Sequence, residues 1–283
     1  MRSAEDFDSA WEQARRDKRR TLAAGGAIVA ALFAVSAWRS ELDPVRLAEG
    51  LPGIVDYLRQ TIPALRSAAD LREWFWGLDR WLLLLAETLA IAFLATLLGT
   101  AVAALLSFSA ARNLARSRWE RTLTRRALEL ARTVPVLVFA LIFVVAFGGG
   151  PLAGVLALAV HSAGSLGKLF SEVNENAGMG PVDSLRATGA GWAQTARYAV
   201  LPQSLPSFLS YSMLRFEINV RSASVIGFVG VGGIGQELYY AIRQFLYHDV
   251  GAILALIVLT VTAIDLVGEK LRGLVSDGGA IAP

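Results

Sequence analysis

The sequence predicts an all-α, polytopic membrane protein with six transmembrane helices. Three observations carry that expectation. Of the 283 residues, 54% are hydrophobic against 18% charged; mean hydropathy is +0.49; and six apolar stretches are each long enough to cross about 30 Å of hydrocarbon, which takes roughly 20 helical residues. A disordered or collagen-like chain is excluded. Cysteine is absent, which excludes a disulfide-stapled fold, a thiol catalyst and a cysteine zinc site, and the two histidines, His161 and His248, are too few for a metal cluster. Any chemistry therefore rests on arginine, carboxylates, serine or glycine.

The first stretch, 21–38, follows Arg15, Arg16, Lys18, Arg19 and Arg20 in the leading segment 1–20. A basic stretch before a short apolar run also fits a signal peptide cut near Ala34-Val35-Ser36. Against that, the leading segment carries Glu5, Asp6, Asp8, Glu12 and Asp17 and no clean small-residue site follows, so an uncleaved span is expected. In the loop 39–81, Leu47, Leu51, Ile54, Val55, Leu58, Ile62 and Leu65 recur at helical spacing, with Pro52 and Pro63 limiting regularity. An interfacial amphipathic segment is expected, finished by Trp74, Trp76 and Trp81 at headgroup level. A core-facing helix of an external domain is the alternative, although the loop is shorter than a typical independent domain.

Five further spans are expected at 82–109, 128–147, 151–170, 204–229 and 250–271, with a tail at 272–283. Arg112, Arg116, Arg118, Arg121, Arg125 and Arg126 fill the link between the second and third. With the basic run before the first span, they place both segments and both ends of the chain on the cytoplasmic side. In the external loop, arginines are diluted by Glu41, Asp43, Glu49, Asp56, Asp70, Glu73 and Asp79. The net charge of +3 hides an arginine bias, but arginines beside apolar runs set topology, and no nucleic-acid contact is expected.

No G-x-x-x-x-G-K-[ST] nucleotide loop occurs, so this chain does not hydrolyse ATP by that route. Gly230, Gly232 and Gly235 form a G-x-G-x-x-G, but it ends a membrane span instead of joining a strand to a helix, which removes the dinucleotide reading. Its expected role is to break the helix and let backbones approach closely; a merely flexible loop is the alternative. Between the fourth and fifth spans, a helical run meets Gly189 and Gly191, and a second run from about Trp192 is expected to stop before Pro202. The product is a short helical hairpin projecting into the cytoplasm, which by itself is either a plain connection or a docking element.

The segment Asp183-Ser184-Leu185-Arg186-Ala187-Thr188-Gly189-Ala190, with Leu201-Pro202 beyond it, resembles the E-A-A loop of ABC-importer permeases. Asp183 takes the place of the usual Glu, Ser184 and Leu185 replace two Ala, Gly189 matches the Gly, and Ala199 stands where the family often has Ile. The wording is similar to that of phosphonate permeases. Glu87-Thr88-Leu89, Leu97-Leu98-Gly99, Ala110-Ala111-Arg112-Asn113, His161-Ser162, 167–172 and 215–223 resemble the same subfamily, so the likeness runs from about Leu47 to Gly268. It implies a type I ABC importer permease fold, with a permease core over 82–271 and the hairpin 183–202 as the coupling helix. It also implies a homodimer in the bacterial cytoplasmic membrane and two ATPase subunits that bind ATP and Mg. An external binding protein would deliver a phosphonate or related oxyanion. Asp183, Arg186, Ala187, Gly189, Leu201 and Pro202 would then contact the ATPase.

The fifth span supports an anion route from its residues alone. A charge within a span costs at least about 2.5–3.5 kcal/mol, so Arg215, Glu217 and Arg221 must face protein or water. Glu217 and Arg221 are spaced to pair on one helix face, while Arg215, Asn219 and Ser222 share another. Arg215 is then the less compensated cation, with a fork suited to phosphonate oxygens. The alternative is a static bridge from Arg215 to Glu87 or Asp265. His161 is either a substrate contact or a neutral hydrogen-bonding core residue, and Lys168 either lines the path or snorkels to the near interface. Glu87, Asp265 and Glu269 are expected to pair or reach water.

The function expected is the membrane subunit of an ATP-driven phosphonate importer working by alternating access. A membrane-embedded enzyme on a phosphorylated lipid lacks a paired catalytic set, and an ion-driven carrier would show internal repeats.

Overall fold

A computed structural model describes residues 4–40, 43–63 and 66–278, with side chains described for 11–40, 43–63 and 66–273. Glu41, Leu65 and the side chains of Glu5, Asp6 and Asp8, used in the sequence reading, lie outside the described residues. The chain divides into two compact units, Met1–Arg59 and Gln60–Pro283.

In the first unit, α1 (Ala4–Arg39) is one continuous helix that takes in both the described part of the basic segment and the first apolar stretch. Its spacing supports local pairs such as Arg16 to Glu12 at 3.2 Å. Every described side chain from 11 to 40 except Ala37 is exposed. Helix α2 (Pro44–Thr61) runs through Pro52, which the sequence reading treats as a limit. Asp43 starts it by accepting from Val45 N–H through Oδ1 at 2.8 Å. Leu47, Leu51, Ile54, Val55 and Leu58 are exposed, as an amphipathic segment without its apolar partner requires.

The second unit consists of helices joined by short turns, with no strand among its described residues. Helix α3 (Ala68–Trp74) starts with a capping box, in which Ser67 Oγ accepts from Asp70 N–H at 3.3 Å and Asp70 Oδ2 accepts from Ser67 N–H at 2.9 Å. The Arg66 N–H, the Ser67 hydroxyl and the Ser67 N–H together hold the Asp70 carboxyl below the usual carboxylate range. The indole N–H groups of Trp74 and Trp76 donate to His248 O and Asp249 Oδ1, both at 2.9 Å, while Trp81 is buried beneath Gly77.

Helix α4 (Leu78–Ala110) has 33 residues, about 50 Å at the usual rise, more than the hydrocarbon thickness. The expected third span is a bent pair, α5 (Arg118–Thr133) and α6 (Val136–Phe147), at 89° to each other. Pro135 has no N–H to continue the ladder and holds Val134 extended, at φ −70 and ψ 125. The basic link is therefore mostly the first half of this pair, started by Ser117 Oγ accepting from Glu120 N–H at 3.0 Å. Helix α7 (Pro151–Glu175) is the most enclosed span, packed by α4, α5, α6 and α10.

Helix α8 (Met179–Ala187) and the short α9 (Trp192–Thr195) build the hairpin. The second run does not stop before Pro202. It widens into a π-turn over Ala196–Val200, in which Leu201 N–H bonds Ala196 O, and continues as α10 (Leu201–Ile226). The wider turn absorbs a ring that would clash with an ordinary α-helical carbonyl. A single turn over Gly227–Val229 and a 47° bend lead to α11 (Gly233–Arg243), and α12 (Tyr247–Gly278) ends the described chain. Among the described residues, four helices are long and apolar enough to cross a membrane, and there are up to six spans if each bent pair counts as one.

The glycine loop breaks the helix and lets backbones meet, as expected. Gly230, Gly232 and Gly233 have φ between 71° and 97°, where a Cβ is strained, and a Cβ on Gly235 would run into Ser224 O. Gly235→Ala is accordingly expected to cost about 1–3 kcal/mol through forced backbone shift. The measurement is the melting midpoint of the detergent-extracted protein, where an unchanged midpoint would mean the contact relaxes freely.

Candidate functional site

Three helices bring a polar cluster into an otherwise apolar interior: α4 supplies Thr96, α7 supplies Ser162, and α10 supplies Arg215 and Asn219. Asn219 is fully buried, and its Nδ2 donates to Thr96 Oγ1 and to Ser162 Oγ, both at 2.9 Å. Ser162, also fully buried, donates to Asn219 Oδ1 at 3.2 Å and accepts from Arg215 Nε at 3.0 Å. Thr96 donates its own hydroxyl hydrogen to Ala92 O at 2.6 Å. Every polar atom of Asn219 is thus satisfied, which burial demands. The close approach of α4 to α7 that makes this possible occurs at Gly99, where a Cβ would stand 2.6 Å from Ser162 Cβ.

Half-buried Arg215 has no carboxylate within ion-pair distance among the described residues, and only its Nε has a protein acceptor. The carboxylates that the sequence reading offers it as static partners are elsewhere. Asp265 receives Arg221 Nη1 at 2.9 Å, and Glu87 lies against Gly232 at the far end of α4. The expected Glu217–Arg221 pair is not formed. Glu217 is buried and pairs with Arg272, while Arg221 pairs with the half-exposed Asp265. Helix α12 runs antiparallel beside α10, so it presents Arg272 and Asp265 as two rungs, and the interhelical contacts replace the local one. Arg272 was outside the sequence-derived site because the tail was drawn to begin at that residue.

His161 is half-buried at the break between α5 and α6, with Nδ1 3.3 Å from Val134 O. Lys168 lies two turns on along the same face of α7, with Ser165 between them, and its Nζ is 3.6 Å from Glu172 Oε1. Ser222 points back to Ile218 O at 2.9 Å and does not join the cluster. Thr96 and Ser162 were missed. The available signal was a hydroxyl at mid-span in each of two apolar helices, facing the Asn219 already singled out. An apolar groove of about 710 Å³ between α4, α10 and α12 is lined by Phe93, Phe216 and Ile264 with Glu217.

At the end of the bundle away from the glycine loop, the hairpin rests on the turn after α4. Val182, Ala199 and Val200 bury against Ala111 and Leu114, Trp192 Nε1 donates to Leu114 O at 2.5 Å, and Arg116 stacks over the Trp192 ring at 4.3 Å. Glu175 accepts from Arg112 N–H at 2.8 Å and pairs with Arg125. Gly189 has φ 82°, its N–H bonds Arg186 O at 3.0 Å and the Ala190 N–H bonds Leu185 O at 3.2 Å, which is a Schellman turn. Asp183, Arg186, Ala187 and Gly189 remain exposed on the hairpin, whereas Leu201 is half-buried and Pro202 is exposed on the start of α10.

Residues 103–277 match the family described as binding-protein-dependent transport system inner membrane component. The phosphite transport system permease protein PtxC of Stutzerimonas stutzeri is 37% identical, over 87% of this chain and 86% of that one. The phosphate-import permease protein PhnE of Mycolicibacterium smegmatis is 36% identical, over 86% of this chain and 44% of its own length. Among solved structures, the inward-facing MetNI methionine ABC transporter superposes with a TM-score of 0.59 at 23% identity, covering 71% of this chain and 97% of that one. A bacterial ABC transporter that imports the acidic polysaccharide alginate gives 0.62 at 14% identity, covering 83% and 97%. At those identities the likeness is one of fold.

Proposed function

We propose a phosphorus-oxyanion permease, proceeding from the fact that the chain belongs to the binding-protein-dependent transport system inner membrane component family. It is a multi-pass inner-membrane transport subunit with the type I ABC importer permease fold, not an enzyme, and works with ATPase subunits and a substrate-binding protein. The cargo in the proposal is a phosphonate, phosphite or related oxyanion, delivered by a binding protein of that specificity. Two copies of the chain form the pathway, and two ATPase subunits bind ATP and Mg. The hairpin end is cytoplasmic and the glycine loop external.

The observation that carries the oxyanion reading is Arg215, an arginine in a membrane-spanning helix whose guanidinium is anchored at Nε only. A cation in this position lowers the barrier for an anion leaving water, because attraction is strong where the dielectric is low. His161 and Lys168 lie on one polar side of α7 that runs toward the hairpin. Alternating access follows if closure of the ATPase dimer pushes on the exposed residues Asp183, Arg186, Ala187 and Gly189. The Trp192 anchor to the end of α4 and the unbroken run into α10 then carry that push to Arg215 and Asn219.

The test is uptake of radiolabelled phosphite and methylphosphonate into proteoliposomes holding the chain, its ATPase and its binding protein. ATP-dependent accumulation of either supports the reading; transport of neither, with active uptake of another solute class, overturns it. In the same assay Gly189→Val forces a β-branched residue to positive φ, a strain of about 1–3 kcal/mol that misplaces the hairpin. Binding-protein-stimulated ATP hydrolysis is expected to fall on the order of tenfold, the equivalent of about 1.4 kcal/mol, while the spans still insert. Undiminished stimulation would remove the hairpin from coupling.

A further inference from the structure

We infer that Ser162, fixed by Asn219 and Thr96, is a positioning residue that tethers Arg215 by Nε and leaves its two Nη groups to grip the transported oxyanion. The inference rests on the oxyanion reading above and specifies how that site holds its cargo.

Hydrogen accounting assigns the direction of each bond. Thr96 donates to Ala92 O, so toward Asn219 it can only accept. Asn219 therefore presents Nδ2 to Thr96 and also, at 2.9 Å, to Ser162 Oγ, while its Oδ1 receives the Ser162 hydroxyl hydrogen at 3.2 Å. With its hydrogen committed there, Ser162 Oγ meets Arg215 with a lone pair, and Arg215 Nε donates into it at 3.0 Å. The chain Ala92–Thr96–Asn219–Ser162–Arg215 is thus polarised in one sense from a backbone carbonyl to the guanidinium. Its three intermediate side chains are all buried and cannot be reoriented by water.

The tether matters because of what it leaves over. An arginine acting as a static bridge spends its fork on protein carboxylates, as Arg221 does on both oxygens of Asp265. Arg215 spends only Nε, and among the described residues neither Nη has an acceptor. The Nη pair presents parallel N–H groups at the spacing of two oxygens on one phosphorus, so the free edge fits a tetrahedral oxyanion bidentately. Fixing Nε removes rotation about the last side-chain bonds before the cargo arrives, which is preorganisation. Close packing of Gly99 on Ser162 Cβ holds the anchor itself in place.

The experiment is a double-mutant cycle on ATP-driven uptake of radiolabelled phosphite and methylphosphonate, counted per assembled complex in proteoliposomes. Ser162→Ala with Asn219→Leu removes the tether and leaves Arg215 Nε as the only member of the network without its partner, because the Thr96 hydroxyl keeps Ala92 O. Uptake is expected to fall tenfold or more, close to the loss in Arg215→Gln, and combining all three substitutions is expected to add nothing further. A merely structural contribution from Ser162 would multiply with the Arg215 loss instead. Multiplied losses overturn the inference, as does wild-type uptake in the tether-free variant while Arg215→Gln is impaired. Should the two-site variant assemble too poorly to count, Ser162→Ala alone is taken through the same cycle with the same two criteria. Wild-type uptake in Arg215→Gln is a separate outcome, which overturns the role of Arg215 itself.

Discussion

Arg215→Gln is expected to lower oxyanion uptake per assembled complex roughly 10- to 100-fold. A hydrogen bond to a charged group contributes about 1.5–3 kcal/mol, and each 1.4 kcal/mol is a factor of ten. Glutamine retains an amide N–H that can still reach Ser162, so the buried Asn219 network keeps its partners and the amount of assembled complex stays near wild type. Arg215→Lys retains the charge without the fork and is expected to fall between the two, because a point charge attracts the anion but cannot contact it bidentately. Uptake of labelled phosphite in proteoliposomes measures all three. Equal uptake in wild type and Arg215→Gln would take the guanidinium out of the pathway.

The second large effect is on assembly and lies at the α10–α12 contact. Arg272→Met leaves Glu217 as an uncompensated carboxylate, in a position where it is only 5% exposed and pressed against Gly268. Removing one partner of a buried pair costs about 3–5 kcal/mol, a large part of the stability of any domain, so the yield of monodisperse protein after extraction should fall severely. Replacing both partners, Arg272→Met with Glu217→Leu, is expected to restore most of it, because the desolvation of both charges disappears together. Arg221→Leu is expected to be milder, since Arg221 and Asp265 are each nearly half exposed and screened. If Arg221→Leu were the more damaging variant, the ranking of the two rungs by burial would be wrong.

Those two rungs also mark where reading the chain alone stopped. Helical periodicity placed Glu217 and Arg221 on one face, which α10 bears out, but periodicity carries no information about the helix packed beside that face. Arg272 and Asp265 are 44 or more residues away along the chain, and only the antiparallel approach of α12 turned an i,i+4 pair into two interhelical ones. Similarly, Arg215 was legible as an under-compensated cation because charge in a span is expensive wherever the neighbours lie. Its partner Ser162 was not, because a hydroxyl in a helix satisfies itself on its own backbone as readily as it meets a neighbour.

What the sequence determined by itself is whatever depends on local chemistry and length. Apolar runs of sufficient length set the all-helical membrane class, with four to six candidate spans among the described residues, and basic clusters assigned an expected orientation. Gly189 foretold a positive-φ turn, and the glycine loop a helix break. The tertiary structure alone decided the responses to strain and the choice of partner. Pro135 broke its span at 89° while Pro202 and Pro52 did not break theirs. A prolyl ring removes the same N–H in each case, and what differs is how the backbone around it takes up the ring. At Pro135 the preceding Val134 turns extended and the chain bends, with His161 Nδ1 of α7 3.3 Å from Val134 O; at Pro202 a π-turn absorbs the ring in line. Buried polar groups obey the same rule, since a hydrogen-bond requirement is written in the residue but its fulfilment belongs to whichever helix packing brings near.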